Sequence, residues 1–406
     1  MDSTRFRLVS IPFLFIFYFL SPAVVSAFLG INYGLIADNL PPPEKAVLLV
    51  QSVGANKVKI FNADPRVIAA FANTGIELIV GLPNEYLKQM QNPDDALAWV
   101  TANIQAHLPA SKIGCIVVGN EVLTLNDTVL RNFLVPAMQN ILTALVQLRL
   151  DKQIAVTTTH ALNVLESSYP PSSGSFRQDL LADISRIVNF HKQTGSPFLI
   201  NAYPYFVYRS NPAQVSLDFV LFRSNYQGFA DPESHLRYDN MLFAQIDAVY
   251  NALASLDARE LSVHISETGW PSKGDENEAG ATPELAREYN ENLIKVVAER
   301  KGTPMRPDSD LNVYLFSLYN EDLKPGPTSE RNFGLFKPEG KPAYPLSLGQ
   351  ESARNIGGMV YEHPPLLSPD GYYYYDISGY SVGENSHMVV GKLVFFVCLT
   401  SVVLVL

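Results

Sequence analysis

The chain has 406 residues and a formal net charge of −10 at pH 7. That balance excludes a polyanionic partner such as nucleic acid or an acidic polysaccharide and leaves neutral substrates open. No Walker-type loop or GxGxxG occurs, and the seven histidines show no metal-ligand spacing, so no cofactor and no metal site are implied.

In chain order, Arg5 and Arg7 precede an apolar stretch from Ile11 to Leu20, and Val25-Ser26-Ala27 offers small residues for cleavage. Residues 1–27 therefore read as a secretory signal peptide, with the mature chain starting at Phe28. A membrane-anchoring helix fits less well, because the apolar core is short.

Apolar, β-branched runs then alternate with segments of helical period. FLGINYG (28–34) precedes a helix closing at Gly54. VKIFN (58–62) precedes PRVIAAFANTG, and IELIVGLP (76–83) precedes DDALAWVTANIQAHL. IGCIVVGNE (113–121) leads into the amphipathic stretch TVLRNFLVPAMQNILTALVQLRL. QIAVTTTHAL (153–162) precedes a helix closing at Gly195. PFLINAYPYF (197–206), LSVHISETGW (261–270) and LNVYLFSLYNE (311–321) complete the set, with helices after the first two. Parallel strands need crossover connections, so strands alternating with helices predict a parallel sheet. Eight such units over residues 28–348 fit a single-domain (β/α)8 TIM barrel. An open doubly wound sheet is the alternative, but it usually brings the glycine fingerprint that is missing here.

After Tyr344 the pattern fades, and residues 349–387, with their YYYY run at 372–375, read as a poorly ordered stalk. The chain closes on KLVFFVCLTSVVLVL with no basic residue after it. Small residues, a polar spacer and this tail spell a GPI-attachment signal, with 388–406 as the removed propeptide. The protein is accordingly expected at the outer face of the plasma membrane, held there by its anchor. Of the two cysteines, Cys398 lies in that tail and Cys115 inside an apolar strand, where it reads as a small buried hydrophobe. The sequon Asn126-Asp127-Thr128 is a candidate glycosylation site.

In a (β/α)8 barrel the chemistry sits at the C-terminal ends of the strands. Polar residues collect there: Asn32 and Tyr33, Asn120 and Glu121, Asn201 with Tyr203, Tyr205 and Phe206, Glu267 with Trp270, and Tyr319 to Glu321 with Lys324 beyond. Glu121 and Glu267 each end an otherwise apolar strand. Alternation places Val263, Ile265 and Glu267 on one face, with His264 and Ser266 toward the helices. Two carboxylates facing across a cleft are what glycoside hydrolysis needs: one protonated to donate to the leaving oxygen, one ionised to attack or to activate water. Aromatic residues at the mouth can stack on pyranose rings, or simply pack the barrel top.

GINYG, VVGNEV, NAYPYF, SETGWPS and LYNEDLKPGPTSERNFGLF occur in that order over residues 28 to about 345. This series resembles the signature segments of plant endo-1,3-β-glucanases, glycoside hydrolase family 17. The resemblance implies a (β/α)8 fold and retaining hydrolysis of β-1,3-glucan such as callose. It implies Glu121 as acid/base and Glu267 as nucleophile. Asn120 matches the residue beside the acid that contacts sugar, and Glu321, Lys324 and Glu330 match a charged cluster near the site. Tyr33, Tyr203, Tyr205, Phe206 and Trp270 complete the expected substrate-binding set. The chain departs from many relatives at Lys59-Ile60-Phe61, where they carry Arg-Ile-Tyr, so one tyrosine hydroxyl is lost. A monomer is expected. A glucan-remodelling transglycosylase would share the covalent intermediate, and a non-hydrolytic glucan-binding surface protein could share the fold.

Overall fold

The computed structural model describes residues 28–346, and beyond them the backbone of one antiparallel pair, Leu366–Leu367 with Tyr373–Tyr374. That pair falls inside the segment expected to be a stalk. The expected signal peptide, the rest of that segment and the expected GPI tail lie outside the described residues.

The eight apolar runs become β1 (Phe28–Tyr33), β2 (Lys57–Ile60), β3 (Glu77–Leu82), β4 (Lys112–Asn120), β5 (Ala155–Ala161), β6 (Phe198–Asn201), β7 (Val263–Thr268) and β8 (Asn312–Leu315). All pair in parallel and close into a barrel in sequence order, β8 returning to β1. Around them run α1 (Pro43–Val53), α2 (Pro65–Ala70), α3 (Pro93–Asn103), α4 (Arg131–Gln147), α5 (Leu181–Thr194), α6 (Pro204–Ser210), α7 (Leu217–Val220), α8 (Met241–Ala254) and α9 (Pro283–Ala298).

Local chemistry sets the helix ends. A proline opens α1, α2, α3 and α9, where its missing N–H costs nothing. The side chains of Asp64, Asn92 and Thr282 cap the last three of these by accepting from backbone N–H groups of the first turn. Gly54 and Gly195 take the left-handed conformation that ends α1 and α5.

Strand six is shorter than its sequence predicts. It stops at Asn201, and Pro204 nucleates α6, so Tyr205 and Phe206 lie on a helix rather than at a strand end. Neither α6 nor α7 was expected: each is too short to show a helical period.

Two apolar clusters fix which way each strand faces. The larger fills the layer between strands and helices and includes Val263 and Ile265. The smaller comprises Phe28, Ile79, Cys115, Val117, Leu199 and Tyr314, drawn from five strands, and forms the floor of the barrel lumen. His264 belongs with the floor: its ring stands edge-on to Phe28 at 5.4 Å and shares a 3.1 Å hydrogen bond with Asn312. The expected alternation on β7 is therefore inverted, with Val263 and Ile265 toward the helices and His264 and Ser266 inside. Cys115 is a buried floor residue, and desolvation pushes its thiol up to about 12.

Candidate active site

Strict alternation would send Glu267 to the same outer face as Val263 and Ile265. It does not, because the register of β7 on β6 slips by one residue: Ile265 faces Ile200, but Glu267 faces Asn201. The extra residue is Ser266, and both it and Glu267 now point inward, as a bulge beside a functional site commonly arranges. β4 slips in the same way against β5, between Val117 and Asn120. There Gly119 takes φ +70°, and a side chain at that position would press on Val122. Glu121 follows in the left-handed region at φ +54°, an uncommon conformation for a non-glycine residue. It is held there by its N–H donating to the Thr159 carbonyl at 2.9 Å, and by Thr124 N–H donating to its own carbonyl at 3.0 Å.

Asn201 joins the two carboxylates. Its backbone pairs with Glu267, and its Nδ2 donates to Glu121 Oε1 at 2.8 Å. Glu121 is half-buried in this cleft. Desolvation, and next the negative charge of Glu267, push its carboxyl up to about 7, against the Asn201 hydrogen bond and the Lys59 cation.

Glu267 has a different neighbourhood. Lys59 Nζ donates to its Oε1 at 2.9 Å, and the Tyr203 hydroxyl donates to its Oε2 at 3.0 Å. Lys59 is 1% exposed in the middle of β2, and also donates to Ser266 Oγ at 2.6 Å. Ser266 Oγ in turn lies 3.1 Å from Thr159 Oγ1 on β5. Desolvation and the adjacent Glu267 hold the Tyr203 phenol well above its usual range.

The remaining expected residues fall into three groups. Asn120 sits beside Glu121, its backbone clamped by reciprocal hydrogen bonds with Asn84 at 2.8 and 3.0 Å. Its buried Oδ1 has no partner among the described residues and is free to meet a ligand. Phe206 and Tyr203 are half-buried, with ring centroids 5.0 Å apart. Tyr33, Tyr205 and Trp270 do not reach the cleft as stacking platforms. Tyr33 is buried against Tyr319 at 5.8 Å. Trp270 is fully buried, donates to the Gly280 carbonyl at 2.7 Å and packs edge-on against the equally buried Tyr205. These rings pack the barrel top, because apolar area this large is best removed from water where helices cover the strand ends.

The charged cluster is present, and its members differ. Buried Glu321 accepts from Ile36 N–H at 2.9 Å and lies 3.7 Å from Lys324 Nζ, tying the loop after β1 to the loop after β8. Its carboxylate leaves no room for a side chain at Gly34. Lys324 also sits 4.0 Å above the Phe316 ring. Glu330 is half-buried, and desolvation raises its carboxyl despite the Lys324 and Arg209 cations. Asn126, in the loop after Glu121, is exposed.

Four residues were given no role at the site by the sequence. Lys59 was noted only as a departure, yet a lysine inside an apolar strand is itself a signal, since lysine is rarely buried without a charge partner. Ser266 was assigned to the wrong face. Asn32 Nδ2 donates to the carbonyls of Ser266, Tyr314 and Leu315, stapling β1, β7 and β8. Glu278 is buried in the loop after β7 and accepts from Asp275 N–H at 3.0 Å, Ser329 N–H at 2.9 Å, the Ser329 hydroxyl and Arg209 at 3.1 Å. Burial opposes its ionisation, but these donors hold it below the usual carboxylate range.

Residues 29–348 match the family described as glycosyl hydrolases family 17. The chain is 53% identical over 348 residues to glucan endo-1,3-beta-glucosidase 11 of Arabidopsis thaliana, covering 85% of this chain and 82% of that one. It is 43% identical to a glucan endo-1,3-beta-D-glucosidase of Olea europaea, over 79% and 70% of the two chains. The solved structure of a beta-1,3-glucanase and pollen allergen of Cryptomeria japonica superposes with a TM-score of 0.76 at 40% identity, over 79% of this chain and 99% of that one. The chain belongs to family 17 of the glycosyl hydrolases.

Proposed function

We infer that this protein is an endo-acting hydrolase of β-1,3-glucans, and that it works by the retaining two-glutamate route. The relatives above bear names of that activity. The observation that carries the mechanism is the unequal treatment of two carboxylates at one barrel mouth. Glu121 is pushed up to about 7, while Glu267 is ion-paired to Lys59. A carboxyl held up toward neutrality suits the proton donor, and a carboxylate bound by a buried lysine suits the nucleophile.

The first step forms a bond from a Glu267 oxygen to the anomeric carbon and breaks the bond from that carbon to the leaving glucosyl oxygen, which takes the Glu121 proton. In the second, water attacks the anomeric carbon, Glu121 takes the water's proton, and the Glu267 carboxylate departs. The charge of Glu267 is the second-largest cause raising the Glu121 carboxyl. Esterification removes that charge, so the same residue becomes a base when a base is needed.

Glu267→Gln should lower kcat on a linear β-1,3-glucan by roughly four or more orders of magnitude, as expected when a covalent nucleophile is lost. Wild-type rates of oligosaccharide release from that variant would overturn the assignment. Callose is the proposed substrate within the class, on sequence resemblance. The GPI anchor and outer-surface location rest on the terminal sequence patterns; release of the protein from cells by a phosphatidylinositol-specific phospholipase checks them. Attachment of a glycan at Asn126 is checked by a mass shift on enzymatic deglycosylation.

A further inference from the structure

Lys59 has two acceptors in the lumen: Glu267 Oε1 at 2.9 Å and Ser266 Oγ at 2.6 Å. Its ammonium also lies 4.8 Å from the Phe61 ring centroid. It is almost wholly out of water. In the resting enzyme the Glu267 charge balances it. A glycosyl ester on Glu267 abolishes that charge; the cation then keeps a hydroxyl and a ring face as direct contacts, with Glu121, deprotonated in the first step, as its more distant counter-charge.

We propose that Lys59 is a positioning residue that keeps the covalent intermediate short-lived, because its buried ammonium has a directly bonded carboxylate partner only when Glu267 is free. The proposal rests on the two-glutamate reading above. Exchanging the direct partner of a buried charge for a more distant one shifts an equilibrium by on the order of ten- to a hundredfold. Lys59 thus stabilises the carboxylate that departs in the second step and disfavours the ester before it. The groups facing Glu121 point the same way. Once the ester forms, the Glu267 charge no longer opposes ionisation of Glu121, while the Lys59 cation still favours it. Glu330, the other carboxylate acting on Glu121, stays in place. Ser266 supports the device from the bulge, tied to Thr159 on β5.

The test compares Lys59→Met with Lys59→Arg in the full chain, using a β-1,3-linked glucosyl donor with a dinitrophenyl leaving group. Such a donor needs no proton for the first step. Intact-mass spectrometry of quenched steady-state reactions should show the glycosyl-enzyme as a minor species in wild type. In Lys59→Met it should become the major species, its decay slowed on the order of ten- to a hundredfold. Lys59→Arg should restore most of the decay rate. On the natural glucan, the basic limb of kcat/KM against pH should move upward in Lys59→Met, a shift that a merely structural role would not give. The proposal is overturned if Lys59→Met is folded by circular dichroism yet accumulates no intermediate. It is equally overturned if the activated donor and the natural glucan lose rate in equal proportion and arginine restores neither. Failure of the underlying reading looks different: a 2-fluoro donor would leave wild-type Glu267 unlabelled.

Discussion

The floor and the mouth of one barrel lumen are built from the same strands a few residues apart, and they share almost no chemistry. The floor is Phe28, Ile79, Cys115, Val117, Leu199 and Tyr314, a dry apolar plug. The mouth is Asn32, Lys59, Asn201, Ser266 and Glu267, buried polar groups joined mostly to one another, with Glu121 at its edge. At the mouth both β4 and β7 slip register, while β4 slips once more against β3 at the floor, where Leu78 faces Ile113 but Ile79 faces Cys115. The slip at the floor leaves an apolar cluster, whereas the slips at the mouth give β4 and β7 the extra residue that lets two carboxylates converge. The floor therefore holds the barrel closed, and the mouth spends conformational freedom on geometry.

The sharpest way to break that division is to change the mouth and ask whether stability follows. Glu121→Gln should lower kcat on β-1,3-glucan by roughly 10²–10⁴-fold, the range for losing a general acid. The loss should shrink on a donor with a dinitrophenyl leaving group, whose first step needs no proton. Thermal unfolding at pH 7 should show no loss of stability, since the variant no longer has to bury a charge. A melting temperature falling together with activity would mean that the mouth is structural too.

The converse change is at the floor. Leu199 is 3% exposed and packs within the lumen cluster. Leu199→Ala should cost about 2–5 kcal/mol of unfolding free energy, from lost apolar transfer and the cavity left behind. Denaturant titration measures it. The kcat of the folded fraction should stay within a few-fold of wild type, because the catalytic groups are tied to strand ends and not to the floor. A larger fall in kcat would show that floor packing sets mouth geometry.

This division also governs what the sequence disclosed. The barrel was legible because short apolar, β-branched runs alternate with segments of helical period, a pattern that follows from strands buried on both faces. Glu121 and Glu267 stood out as carboxylates closing apolar strands. Their orientation was not legible, because a one-residue slip depends on the neighbouring strand and leaves no mark on the slipping one. The facing of His264 and Ser266 was inverted for that reason. Lys59 was visible as a residue but not as a charge partner, since the strand pairing that brings β2 across to β7 is not written locally. Trp270 and Tyr205 were placed at the cleft because an aromatic ring near a strand end can turn either way, and the sequence does not say which.

pH sharpens the comparison from a third place, the outer layer. His160 on β5 and His191 on α5 are buried around Phe198, and none of their ring nitrogens has a partner among the described residues. Desolvation holds them at about 3 and about 4. Between those values and the ordinary 6.5, the unfolded chain binds protons that the folded one refuses, so the layer's contribution is complete above about 6.5 and is lost as pH falls toward 4. Glu121 works in the opposite sense. Its carboxyl is raised, so stability linked to it is present below its ordinary pKa and is lost as pH rises through about 7. Denaturant titrations of His191→Leu should accordingly gain on wild type as pH drops from 7 to 4, by on the order of 1–3 kcal/mol. Glu121→Gln should gain as pH rises from about 4.5 to about 7 and level off above that, by less, because Glu121 is half-buried and solvent screens it. Parallel pH profiles for the two variants would mean that wall and mouth titrate as one unit, and the separation drawn between them would fail.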